Sequence, residues 1–291
     1  MRSNDNNDSR IGLPPETILA ACLTLAILAA GGTRVEANGQ GESAKPESVD
    51  ATLLVDSFDD LFKKLDHSSI RTFDALLKDP NVVEFGSRVE SRYPEASLTR
   101  ILASSPDVKA RRAAALASAL TANFRTSNTA VAKGLRDGDP TVRFFTEKAL
   151  WAIWFRASTS DNNKTLEEVS GLIGQQAFDA AIDKATKLIE KAPDFAEAYN
   201  QRAIAYWQKG ELAKSIEDCL KVLDRNPYHF GALTGMAGCY RGLGQPRKML
   251  SVLRRAQRVR PHDAGIAAAI RSLEQELGPD SGKSNSEGIE A

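Results

Sequence analysis

The 291 residues carry 38 basic and 38 acidic side chains, so no net field draws the whole chain onto nucleic acid. Apolar residues at 42% and charged residues at 26% are ordinary for a folded protein, and the 7% aromatic content with abundant alanine favours helix over sheet. Three cysteines (Cys22, Cys219, Cys239), with no Cys-x-x-Cys pair, exclude a disulfide scaffold and a zinc ribbon.

Residues 18–30, ILAACLTLAILAA, contain one polar residue, Thr24. As a helix this run spans about 20 Å, short of a roughly 30 Å hydrocarbon core but suited to a secretory signal. Val35-Glu36-Ala37 offers small residues at −3 and −1, so cleavage is expected between Ala37 and Asn38, with export to the periplasm or another extracytoplasmic space. Arg2 and Arg10 are offset by Asp5, Asp8 and Glu16, which leaves an uncleaved anchor or a cytoplasmic chain as alternatives. Leu19-Ala20-Ala21-Cys22 matches a lipoprotein box in letters, but most of the apolar run follows the cysteine. Residues 38–50 and 278–291 are polar and read as a disordered linker and tail.

Leu54, Phe58, Leu61 and Leu65 recur at helical spacing, as do Ile70, Phe73 and Leu77, predicting helices across residues 51–95. Ser105-Pro106-Asp107-Val108-Lys109 and Asp139-Pro140-Thr141-Val142-Arg143 lie 34 residues apart, each ahead of an alanine-rich run. Ser105 and Asp139 are the predicted N-caps, with proline in the first helical position. Asp-Pro-x-Val-Arg followed by Ala-Leu resembles the second helix of a HEAT-type repeat over about residues 97–157. The period is shorter than the ~40–47 of that family, so only a compact variant fits. On this resemblance residues 51–160 form a HEAT-like helical region.

Pro193, Pro227 and Pro261 are spaced 34 residues apart, and the text between them aligns. Counting from Ala196, Tyr199, Ala203, Tyr206, Gly210, Ser215 and Pro227 take positions 4, 8, 11, 15, 20 and 32; counting from Phe230, Leu233, Ala237, Tyr240, Gly244, Met249 and Pro261 take the same places. This pattern resembles the tetratricopeptide repeat (TPR). Small residues at 8 and 20 let paired helices approach, glycine at 15 makes the turn, and proline at 32 ends the second helix. Met249 and Val222 are bulkier than the pattern and imply locally looser contact. A degenerate unit from Asn162 keeps Leu172, Ala181 and Pro193 but has Gln176 in the place of the turn glycine. Ile266, Ile270, Leu273 and Leu277 recur at helical spacing and predict a helix that caps the stack. The fold class is therefore all-α, a right-handed helical-repeat solenoid: HEAT-like pairs, then about three TPR units and a capping helix over residues 162–277. The run from Ala149 to Phe155, with Glu197–Ala203 and His229–Leu233, is similar to a group of bacterial exported TPR proteins, which implies protein binding and no reaction.

The chemistry-bearing residues do not assemble an enzyme. His229 and His262 follow the repeat prolines, in turns where polar residues are ordinary, and His67 stands alone. Neither His-Glu-x-x-His nor Gly-x-Ser-x-Gly occurs, and Cys219 and Cys239 fall at interior positions. Gly278-Pro279-Asp280-Ser281-Gly282-Lys283-Ser284 imitates a phosphate-binding loop with one spacer too few. No catalytic residue, cofactor or metal is expected.

Two features suit binding. The TPR resemblance implies that positions 2, 5, 9, 12 and 13 of each first helix line a concave groove: Glu197, Asn200, Ile204, Trp207 and Gln208, then Gly231, Thr234, Gly238, Arg241 and Gly242. Trp207 beside Asn200 and Arg241 has the composition of a binding hot spot, or else packs against the next helix. Leu166 and Ser170 stand at positions 5 and 9 of the first unit, so the lysine/asparagine carboxylate clamp of chaperone-binding members is absent. The second feature is basic: Arg241, Arg247, Lys248, Arg254, Arg255, Arg258 and Arg260 occur with no acid among them. Such a run fits an acidic partner or an anionic membrane surface, or is neutralised by the acidic segment Asp50–Asp66; nucleic acid is the weakest candidate for an exported protein. The expected function is a non-catalytic interaction scaffold of the cell envelope that binds a protein or peptide in the groove, with a peripheral tether through the basic final repeat as the alternative.

Overall fold

A computed structural model describes residues 50–65 and 73–278, and all regular structure among them is helical. The apolar run at 18–30, the Ala37/Asn38 cleavage site, Ile70, the Phe73 side chain and the tail beyond Gly278 lie outside the described residues. The chain divides into two compact units, residues 1–92 and 93–291.

The first unit holds α1 (Thr52–Lys64), α2 (Phe73–Lys78) and α3 (Pro80–Arg92). The predicted face is there: Leu54, Phe58, Leu61 and Leu65 are all buried, and the Phe58 ring meets Phe62 at 4.6 Å and Phe85 of α3 at 6.4 Å. In α2 the buried residue is Leu76, while Leu77 is only half-buried.

The second unit opens with α4 (Glu95–Ser104), α5 (Val108–Thr121), α6 (Phe124–Ala132), a 3-10 turn (Lys133–Arg136) and α7 (Pro140–Phe155). Helix α5 lies between α4 and α7, and its Ala110, Ala113, Ala114, Ala115, Ala117 and Ala119 are all buried. Methyl groups on every side allow two neighbours to approach one helix. Each of the two loops starts a helix from a capping aspartate, but the register differs from the expected one. Asp107, not Ser105, caps α5 by accepting from the Lys109 N–H (2.8 Å), and Pro106 lies before the helix. Asp139 caps α7 as expected, accepting from the Val142 N–H (2.9 Å) with Pro140 in the first turn. Ser105 therefore corresponds to Asp137, each accepting from the N–H of the capping aspartate. Arg111 and Arg143, four residues after their caps, each fold back onto carbonyls of their own loop. Bidentate pairs Arg111–Asp137 and Arg112–Asp139 tie α5 to the turn before α7.

From residue 160 the chain runs as helical hairpins: α8 (Ser160–Gly174) with α9 (Phe178–Lys191), α10 (Ala196–Gln208) with α11 (Leu212–Arg225), and α12 (Phe230–Gly242) with α13 (Pro246–Val259). Helix α14 (Ala264–Leu277) follows and buries Ile266, Ile270 and Leu273 against the last hairpin. This is a helical-repeat solenoid. Ala203 and Ala237 are buried at the helix crossings, and the Ser215 hydroxyl donates to the Ala203 carbonyl at 2.8 Å. Gly210 and Gly244 turn the chain with φ of 77° and 64°, values that a side chain resists. In the degenerate unit Gln176 adopts the same turn at φ 61°. Arg202 of α10 clamps three helices, forking onto Asp218 of α11 (2.7 and 2.9 Å) and donating to the Thr186 hydroxyl of α9 (2.9 Å).

Candidate protein-binding groove

The first helices of the hairpins, α8, α10 and α12, lie side by side. Their amino-terminal ends are not open. Helix α7 is laid against them through two tryptophans separated by less than one turn. Trp154 is buried, and its indole N–H donates to the Asn128 amide oxygen (2.7 Å). The Asn128 amide then donates to Asn226, in the turn between α11 and α12 (3.0 Å). One face of Trp154 stacks on the His229 imidazole with centroids 4.2 Å apart, while Trp151 meets His229 and Phe230 edge-on. A Cβ on Gly231 would stand 2.6 Å from the Trp151 ring, so the contact requires glycine there. At the other end Arg260 reaches Glu147 of α7 (2.7 Å) and Asp263 (3.1 Å), and the Arg136 guanidinium donates to the Arg258 carbonyl (2.5 Å).

His229 links this contact to the repeats. Its Nδ1 accepts from the Ala232 N–H (3.0 Å), capping α12, which leaves Nε2–H to donate to the Glu197 carboxylate (2.9 Å). Glu197 also accepts from the amides of Asn200 (2.8 Å) and Gln201 (2.9 Å). Both Glu197 and His229 are buried, and three donors compensate the carboxylate's lost hydration. Two expected groove residues, Glu197 and Asn200, are buried and hydrogen-bonded to internal partners. Trp151 packs on Gly231. His229 is corrected from an ordinary turn residue to the buried centre of a network. The signal for it lay in the run from Ala149 to Phe155, which is too apolar all round to face water on any side.

The carboxy-terminal half of the groove stays open. Ile204 is half-buried, and Gln208, Thr234, Arg241 and Gly242 are exposed. Trp207 is 45% exposed, the largest side chain in the second unit to show so much surface. Its ring leans on the next first helix: a Cβ on Gly238 would sit 3.8 Å from the indole nitrogen. The absent side chain leaves the indole face uncovered, so Trp207 both packs and protrudes. Arg241 lies one turn beyond Gly238 on α12 and has no carboxylate partner among the described residues. The Thr234 hydroxyl is taken by the Phe230 carbonyl (3.0 Å).

The basic run is partly neutralised from nearby. Arg254 pairs with Glu274 of α14 (2.8 Å), and Arg260 with Glu147 and Asp263. Lys248 lies over the Tyr240 ring at 5.7 Å. Arg247, Arg255 and Arg258 have no carboxylate partner among the described residues; burial and the neighbouring Arg258 charge lower the pKa of Arg255. The two thiols of the repeats are buried and free, and the Cys239 Sγ contacts the Ser215 hydroxyl at 3.3 Å. Burial pushes the Cys219 thiol up to about 12, which keeps it protonated and unreactive at neutral pH. Among the described residues no group of three or more His, Cys, Asp or Glu side chains is placed to hold a metal ion, and no helix is long and apolar enough to cross a membrane.

Residues 163–270 match the family model described as Psidin, N-terminal TPR repeats region. Over these residues the hairpins are similar to tetratricopeptide repeats. Over 142 residues the chain is 28% identical to a TPR repeat-containing protein of Rhizobium etli, spanning 49% of this chain and 70% of that one. Among solved structures, the first TPR domain of Spaghetti (RPAP3) bound to the HSP90 peptide SRMEEVD aligns with a TM-score of 0.39 at 20% identity, covering 41% of this chain and 95% of that one. YrrB, a TPR protein with an unusual peptide-binding site, aligns with a TM-score of 0.36 at 17% identity, covering 69% and 98%.

Proposed function

We propose that this protein is a non-catalytic interaction scaffold whose TPR region takes a peptide segment of a partner protein in the open half of its groove. The observation that carries this reading is Trp207, an indole left with nearly half its surface in water beside Gly238 and Arg241. An aromatic anchor with a cationic neighbour is the chemistry of binding hot spots. The ligand is limited to a short one, because Glu197 and Asn200 are buried and Trp151 of α7 packs on Gly231. The apolar run at residues 18–30 and the site at Ala37/Asn38 support export to the cell envelope, and the Asp107/Asp139 loops support an upstream HEAT-like pair.

Affinity capture from the native host, with the full chain and its Trp207→Ala variant as parallel baits, tests the groove. Partners should be depleted from the variant at equal melting temperature. Equal recovery on both baits would remove Trp207 from the site. A second reading, attachment to an anionic membrane surface, is favoured by Arg247, Arg255 and Arg258, which lack carboxylate partners. It ranks the variants in the opposite order: charge reversal at Arg255 and Arg258 abolishes co-sedimentation with anionic liposomes, while Trp207→Ala is silent. Amino-terminal sequencing of the protein from its host tests export; a start at Asn38 is expected, and a start at Met1 or Cys22 contradicts it.

A further inference from the structure

On the second unit, at the start of the first hairpin and apart from Trp207, a cleft of about 560 Å³ opens between the α5–α6 turn, the end of α7 and the start of α8. Arg156, the residue that ends α7, borders it with Asn123, Ser160, Asn163, Lys164 and Glu167. The Arg156 guanidinium is reachable from solvent through the cleft mouth, yet the walls desolvate it enough to lower its pKa. Among the described residues it has no carboxylate partner, and its one side-chain hydrogen bond is a long 3.5 Å donation to the Ala122 carbonyl. The remaining N–H groups of a rigid five-donor fork are unused. Other arginines bordering α5 and α7 differ: Arg111 and Arg112 fork onto aspartates, and Arg143 is spent on two loop carbonyls. Lys164 also lacks an acidic partner among the described residues. The Asn163 amide is occupied on both sides by the Ser158 backbone, so it shapes the wall and does not add a free donor.

We infer that this cleft is a carboxylate-binding site, with Arg156 forking onto the carboxylate and Lys164 adding the second positive charge. The planar fork matches two coplanar oxygens. Two bases and Glu167 leave the cleft with one net positive charge, which a monoanion neutralises; a phosphate dianion would overshoot and face Glu167. The carboxylate comes either from a small hydroxy acid or from the free end of a peptide chain. The site is independent of the Trp207 groove.

Saturation-transfer NMR on the full chain tests the inference with four probes: lactate, lactamide, N-acetyl-tetra-alanine as the free acid, and the same peptide as its amide. Signal from one or both acids, and not from their amides, is expected, and the acid that binds names the source. Arg156→Gln should weaken that binding at least about tenfold, the loss of a charge-assisted pair, while Lys164→Gln weakens it less and Arg136→Gln leaves it unchanged. Arg156→Lys, which keeps the charge and loses the fork, should fall between native and Arg156→Gln. Arg156→Gln should melt close to the native chain, because the one hydrogen bond it removes is the long one to Ala122. No transfer to either acid, equal transfer to acid and amide, or undiminished binding in Arg156→Gln overturns the assignment.

Discussion

Gln176 holds a left-handed backbone (φ 61°) in the turn where the two later repeats have Gly210 and Gly244. A side chain there costs about 1–2 kcal/mol, partly recovered because glycine loses more entropy on folding. Gln176→Gly should therefore stabilise the chain by about 0.5–1 kcal/mol in urea melts; a destabilised variant would mean that the Gln176 side chain contributes contacts that outweigh the strain. Asp139 makes a pH prediction. Burial raises its pKa, but the Arg112 fork and the Val142 N–H outweigh burial and leave it lowered. A folded-state pKa below the unfolded value of about 3.9 stabilises fully above that value and is lost as pH falls through the folded one. Asparagine keeps the cap and removes the charge, so the stability gap between the native chain and Asp139→Asn should be widest at neutral pH and close below about pH 4. A gap independent of pH would show that the charge contributes nothing.

At the scale of elements, the 34-residue period exposed the helical hairpins because each pattern letter is a local requirement: a turn, a close crossing, a helix end. Ala203 and Ala237 were legible for that reason, and Ala203→Leu should cost roughly 1–3 kcal/mol by overpacking. A variant melting within a degree of the native chain would contradict the crossing. The upstream helix starts were legible but not their register, because Ser105 and Asp107 are both competent caps and only the backbone chooses between them. For α7 the all-apolar run from Ala149 to Phe155 signalled that the helix is covered, but not by which partners. Its docking joins Trp154, Asn128, Asn226, His229 and Glu197, residues with no shared period, and whether Glu197 faces water or an imidazole depends on a helix more than forty residues upstream. Trp154→Ala would leave His229 without its stacking partner and Asn128 without its donor, a loss of about 3–5 kcal/mol. A loss under 1 kcal/mol would mean that α7 is not held on the repeats by this residue.

For the whole molecule, the proposed groove is buried at Glu197 and Asn200 and exposed at Trp207, Gln208 and Arg241. Removing one of the exposed side chains should leave stability almost unchanged and binding strongly reduced, the reverse of Trp154→Ala. Selection of a random peptide library on the immobilised full chain, with the enriched peptides then titrated against native, Trp207→Ala and Leu220→Ala proteins, measures this directly. Leu220 is also exposed but sits on the second helix of its hairpin, α11, which makes it the matched control. The peptides should bind Trp207→Ala at least about thirtyfold more weakly than the native chain, the ~2 kcal/mol of a hot spot, and Leu220→Ala equally well. Peptides that bind all three proteins alike would contradict the groove.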